Sequence, residues 1–146
     1  MGCADGTIRV YDVLTGALNG TLGPHPGAVR SLHCSYNGYW LAETSTADSK
    51  VRIWDLRKTN AVAHELEGSS VGGKVRWDHG GQYLALGGPH GVDVWGYRKK
   101  EKAFEKVTDE AMEQTGVKCL DWGSNGKTIA CGGLEDATIC ILGVDV

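Results

Sequence analysis

Long apolar runs are missing from this chain. No stretch approaches the ~18 residues that a membrane-spanning helix requires, so the sequence offers no such helix. The opening Met1-Gly2-Cys3-Ala4-Asp5-Gly6 has neither a basic region nor an apolar stretch and does not read as a signal peptide. Proline is scarce, at three residues, two of which flank His25. The five cysteines, Cys3, Cys34, Cys119, Cys131 and Cys140, are odd in number and include no Cys-x-x-Cys pair. They read as reduced thiols of a nuclear or cytosolic protein rather than as a disulfide framework. Without secretion, the sequon Asn19-Gly20-Thr21 is idle. A basic excess is also missing: the net charge is −3 and the pI near 5.9, which argues against a dedicated nucleic-acid surface. Helical periodicity is equally absent. The best helical candidate, Thr108 to Gln114, covers only about two turns and is expected to be a loop or a short helix.

Glycine is what the chain has in excess, with 22 residues scattered between short apolar runs and no collagen-like period. Glycine supplies the positive φ that tight turns need, so many glycines imply many turns and many short strands. Self-similarity organises them. Cys34, Trp77 and Trp122 serve as anchors, spaced 43 and 45 residues apart. Two residues before each stands Leu32, Val75 or Leu120, and seven residues after each stands Leu41, Leu84 or Ile129, followed by Ala42, Ala85 or Ala130. Between them lie the turn pairs Asn37-Gly38, Gly80-Gly81 and Asn125-Gly126. The second half of the unit repeats too. Asp48 precedes Trp54 by six residues, as Asp5 precedes Tyr11 and Asp136 precedes Leu142. Val51 and Ile53 alternate with Arg52 between them, the period of a strand. The third unit departs from the pattern, because its Gly88-Pro89-His90-Gly91 turn is short and lacks the aspartate.

The repeat predicts an all-β chain of antiparallel four-stranded blades, near 1–23, 24–67, 68–107 and 108–146, the first and last incomplete. Strands are expected near 6–12 and 17–22; 28–34, 39–45, 50–56 and 61–67; 72–78, 82–88, 91–97 and 102–107; and 116–122, 127–133 and 137–143.

Trp54-Asp55, its aromatic variant Tyr11-Asp12 and the period of the units together resemble the WD-repeat β-propeller family over nearly the whole chain. Within it, Asn37-Gly38-Tyr39-Trp40-Leu41-Ala42, Val51-Arg52-Ile53-Trp54-Asp55-Leu56-Arg57-Lys58 and Tyr83-Leu84-Ala85-Leu86-Gly87-Gly88 are similar to the C-terminal propeller of the pre-mRNA-processing factor nineteen family. A seven-bladed ring would need roughly 300 residues, so the resemblance implies about three and a half blades of seven, with the N-terminal part of the propeller missing. It further implies a nuclear, protein-binding scaffold that recruits splicing-complex subunits or ubiquitination substrates for a U-box ubiquitin ligase active in pre-mRNA splicing and the DNA-damage response. On this reading the chain is not itself an enzyme and takes no cofactor, and oligomerisation belongs to regions outside it. The alternative is a WD-repeat adaptor of another complex, such as a cullin-ligase receptor or a trafficking scaffold.

The same resemblance implies a buried structural hydrogen-bond network of His25, Ser45 (or Thr44), Asp48 and Trp54, in which polar groups inside a blade satisfy one another. These residue types could also suggest a Ser-His-Asp triad, but a buried network explains every member. Loops of one face are expected to include His25, Ala28, Arg30, Ala47, Asp48, Ser70, His90, Thr115 and Glu135, with Arg30, Ala47, His90 and Glu135 as the partner-binding candidates. Gly68-Ser-Ser-Val-Gly-Gly73-Lys74 nearly matches a phosphate-binding loop, yet Val75 stands where the Mg²⁺-holding Ser or Thr should be and a strand follows instead of a helix. The basic run Arg98, Lys99, Lys100, Lys102 and Lys106 is interleaved with Glu101 and Glu105 and reads as a solvated loop. His64, His79 and His90 show no metal spacing.

Overall fold

A computed structural model describes residues 1–58, 61–108, 116–133 and 139–144. Its strands are β1 (Ile8–Tyr11), β2 (Leu18–Leu22), β3 (Val29–Cys34), β4 (Trp40–Ser45), β5 (Lys50–Asp55), β6 (Val62–Glu67), β7 (Lys74–Trp77), β8 (Tyr83–Gly88), β9 (Gly91–Arg98), β10 (Ala103–Lys106), β11 (Cys119–Trp122), β12 (Thr128–Gly132) and β13 (Ile139–Gly143). They form four antiparallel meanders in chain order: β1-β2, β3-β4-β5-β6, β7-β8-β9-β10 and β11-β12-β13. The expected strands recur with ends displaced by a few residues. The helical candidate from Thr108 to Gln114 lies outside the described residues except for Thr108 itself. No described helix is long and apolar enough to cross a membrane.

Turn chemistry explains the meander. Gly38, Gly81 and Gly126 close the three equivalent inner hairpins at φ of 81°, 66° and 67°, where a Cβ would be strained. The preceding polar side chain collects the free amides of each turn. Asn37 Oδ1 accepts from the Tyr39 and Trp40 amides, Asp78 Oδ1 from Gln82 and Tyr83, and Asn125 Oδ1 from Lys127.

Strand alternation here sends side chains to two neighbouring blades rather than to core and solvent. On β4, Trp40 and Ala42 join a cluster with Val75, Trp77, Leu84 and Leu86 of the following blade. The intervening Leu41 packs with Trp54, Ile8 and Leu22 toward the preceding one. On β9, Val92 and Val94 face Leu120, Trp122 and Ile129, while Trp95 faces back. Each inter-blade space therefore holds its own apolar cluster, and all six residues of β4 are buried. At about 25 cal/mol per Å² of apolar surface this burial is the main force that stacks one blade on the next. Trp40 stacks on Trp77 at 5.7 Å between ring centroids and meets Tyr97 edge-on at 4.5 Å, closing the outer end of the contact.

Candidate functional site

The residues expected to form the buried network gather at one end of the second blade. Ser45, at the end of β4, donates to Asp48 Oδ1 at 3.4 Å and accepts the Ala47 amide at 3.2 Å, which shapes the β4–β5 turn. His25, from the β2–β3 loop, meets the Trp54 ring edge-on at 5.6 Å. The rest departs from the expected chain. Among the described residues Trp54 Nε1 has no hydrogen-bond partner, and Thr44 turns toward the next blade to donate to the Gly73 carbonyl at 2.7 Å. The bond expected from Trp54 to Ser45 or Thr44 is thus not formed. His25 does not reach Asp48; its Nδ1 lies 3.2 Å from Glu43 Oε1, without the alignment of a hydrogen bond. Its side chain is 5% exposed, so it belongs to the interior and not to the partner-binding face.

Glu43 and Arg52 carry the electrostatics instead. They sit on adjacent strands in direct register, with Arg52 Nη1 3.3 Å from Glu43 Oε1. The same guanidinium pairs with Asp48 and, through Nε at 3.3 Å, with Glu65, which also takes Lys50 Nζ at 3.0 Å. Complete burial pushes the Glu43 carboxyl up to about 7, against the pull of Arg52. Burial would raise Asp48 as well, but its hydrogen bond and attraction to Arg52 hold it below its ordinary value. Burial, and then repulsion by Arg52, depress His25. Among the described residues no hydroxyl or thiol is hydrogen-bonded to the His25 ring. Glu43 and Arg52 escaped the sequence reading because a mid-strand charge ordinarily points to water. The only signal for them is that they stand opposite each other once β4 and β5 are paired.

Loops from successive blades converge on the face beside this network. The Ala28 amide donates to Thr46 Oγ1 and the Thr46 amide donates to the Ala28 carbonyl, which joins the β2–β3 loop to the β4–β5 turn. The His90 amide donates to Ser70 Oγ, and the amides of Gly116 and Val117 donate to the Pro89 and Gly88 carbonyls. These bonds stitch the β6–β7, β8–β9 and β10–β11 connections into one surface. Arg30, Ala47 and His90, the partner-binding candidates, are exposed there. Glu135 lies outside the described residues, as do Thr115 and Asp136. In the middle of the face a cleft of about 410 Å³ runs between Arg30 of β3, Lys74 at the start of β7, and Lys118 just before β11, with Gly72, Gly88 and Val117 in its walls. Lys74 and Lys118 were not expected at this site. Lys118 carries a signal in the repeat, because it stands four residues before Trp122 as Arg30 stands four before Cys34.

The loop that resembles a phosphate-binding motif runs into strand β7, with Lys74 paired to Gly87 in the ladder. In the basic run, Arg98 pairs with Glu105 at 2.7 Å and Lys106 with the buried Asp93 at 2.8 Å; Lys99, Lys100 and Lys102 cap the β9–β10 turn. Among the described residues no group of His, Cys, Asp and Glu side chains is placed to hold a metal ion.

Comparison with known proteins places this geometry. The family described as WD domain, G-beta repeat matches residues 16–55 and 108–141, just over half of the chain. Pre-mRNA-processing factor 19 of Schizosaccharomyces pombe is 39% identical over 61 residues, which cover 42% of this chain and 12% of that protein. Pre-mRNA-processing factor 19 homolog 2 of Arabidopsis thaliana is 28% identical over 138 residues, 92% of this chain and 25% of the relative. This chain thus spans a quarter or less of the length of these relatives. A chain in the crystal structure of a mitotic checkpoint complex superposes with a TM-score of 0.80 over 99% of this chain and 45% of its own length, at 17% identity, and so shares the fold. Repeat spacing, meander topology and the inter-blade clusters agree with these matches: the chain belongs to the WD-repeat family, forms part of a β-propeller, and resembles the WD region of pre-mRNA-processing factor 19.

Proposed function

We propose that this chain is the partner-recruiting WD-repeat segment of a spliceosome-associated ubiquitin ligase, acting in the nucleus in pre-mRNA splicing and the DNA-damage response. Its partners are splicing-complex subunits and ubiquitination substrates. The observation that carries the reading is the likeness to pre-mRNA-processing factor 19 homologues along 92% of the chain. The convergent loops around Arg30, Ala47 and His90 supply the surface it needs. Stacked blades give a rigid frame, so loops bonded to one another across blades can bind a partner with little ordering cost. The contribution to ubiquitin transfer is proximity: a substrate held on this face is kept at high effective concentration near a ligase module elsewhere in the assembly.

Affinity purification of the tagged chain from nuclear extract, beside an Ala47→Arg variant, tests this. The reading predicts recovery of splicing-complex proteins that the variant loses while its tryptophan fluorescence stays native. Recovery of cullin-ligase core subunits in their place would overturn it in favour of another WD-repeat adaptor.

A further inference from the structure

We infer that the cleft among Arg30, Lys74 and Lys118 docks an anionic peptide segment, with carboxylate or phosphate groups on these three cations and a small apolar side chain beside them. The inference rests on the scaffold reading above and names the chemistry of the partner. Three observations carry it.

The first is charge without partners. Arg30, Lys74 and Lys118 line one cleft and make no ion pair among the described residues, whereas Arg52 pairs with Glu43, Asp48 and Glu65, Arg98 with Glu105, and Lys106 with Asp93. In a chain of net charge −3 this is a local concentration of positive charge. Three like charges around one concavity repel each other, and an anion between them relieves that repulsion.

The second is shape. The volume of about 410 Å³ suits a few side chains rather than a folded surface. Four glycines, Gly72, Gly73, Gly87 and Gly88, line it and place no side chain in it. Val71 is 54% exposed at the rim, and Val117 lies in the wall. The cleft therefore offers an apolar contact next to its cations.

The third is what the lining omits. Single-stranded nucleic acid is held by aromatic platforms beside basic groups, and none of the residues lining this cleft is aromatic. Arginine and lysine with apolar neighbours and no stacking surface fit an acidic peptide better than RNA.

Fluorescence anisotropy on the full chain tests the assignment with four labelled probes: a Glu-Leu-Glu repeat peptide, the same peptide with phosphoserine in place of one Glu, its Gln-for-Glu analogue, and an oligouridine of matched charge. Both anionic peptides should bind, the Gln analogue at least roughly tenfold more weakly, and binding should weaken as salt rises from about 50 to about 300 mM. The relative affinity of the carboxylate and phosphate probes identifies the preferred anion. Combined Arg30→Glu, Lys74→Glu and Lys118→Glu should abolish binding; Lys99→Glu with Lys100→Glu on the β9–β10 turn should leave it unchanged. Lys74→Gln with Lys118→Gln gives the weakened result should the charge reversals disturb folding. Equal binding of the Gln analogue, retention of affinity in the cleft variants, or tighter binding of the oligouridine overturns the inference. If the peptides fail while Ala47→Arg still strips partners in the purification, the cleft assignment falls and the scaffold reading stands.

Discussion

The backbone amide of Trp77 donates a 2.9 Å hydrogen bond to Nδ1 of His33, across the gap between two blades. Two more bonds accompany it: the Val75 amide to Ser31 Oγ at 3.2 Å, and Trp122 Nε1 to the Arg76 carbonyl at 3.0 Å. Inner strands β3, β7 and β11 share no ladder, so these lateral bonds supplement the apolar clusters in fixing how the blades stand to one another.

The His33 bond requires Nδ1 to be unprotonated. Burial, and then repulsion by Arg76, depress the His33 pKa, with Asp121 opposing in part. A histidine depressed in the folded state binds fewer protons than in the unfolded chain, so its contribution is present above the ordinary value of 6.5 and is lost as pH falls below it. His33→Ala should cost about 1–2 kcal/mol at pH 8 and should cost less as the pH is lowered below 6.5. Denaturant unfolding of both proteins across that range checks it; a pH-independent difference would mean that the imidazole is not an acceptor.

Glu43 should behave in the opposite sense. Its folded value of about 7 stands above the ordinary 4.5, so the folded state holds the proton more tightly. Its contribution is full below pH 4.5 and is lost as pH rises through 7. Glu43→Gln mimics the protonated form. The variant should therefore gain on the wild type between pH 4.5 and 7 in the same unfolding experiment. A variant that loses ground over this range would show that Glu43 is ionised, held by Arg52.

The tryptophans separate packing from hydrogen bonding. Trp54→Ala should cost about 3–5 kcal/mol through the cavity it leaves, with nothing added for a lost bond because Nε1 has none. Phenylalanine at Trp54 or at Trp122 removes similar volume, but only Trp122 loses a bond, to the Arg76 carbonyl. Trp122→Phe should be the costlier by about 1 kcal/mol. Equal losses in chemical denaturation would contradict the observed bonding.

The positions of the strands were legible because turn chemistry is local: Asn37-Gly38, Gly80-Gly81 and Asn125-Gly126 mark their hairpins without reference to the rest of the chain. The cleft and the charged ladder were harder to see. Alternation along β4 and β5 normally separates inside from outside, but here both faces meet another blade, so the mid-strand charges Glu43 and Arg52 are buried. His25 lies beside Trp54, and its polar neighbour is Glu43 on the adjacent blade strand, whereas the repeat implied Asp48. Lys74 was absorbed into an apparent phosphate-binding motif, and only the pairing of Lys74 with Gly87 brings it beside Arg30 and Lys118.

That the face carrying Arg30, Ala47 and His90 binds protein partners is the central claim, and lysine cross-linking of the chain within its native assembly tests it most directly. Lys74 and Lys118 lie on this face, whereas Lys99, Lys100 and Lys102 cap the β9–β10 turn at the opposite end of the blade. The account predicts that cross-links to partner proteins concentrate on Lys74 and Lys118. Partner cross-links confined to Lys99, Lys100 and Lys102, with Lys74 and Lys118 unmodified or linked only within the chain, would contradict it.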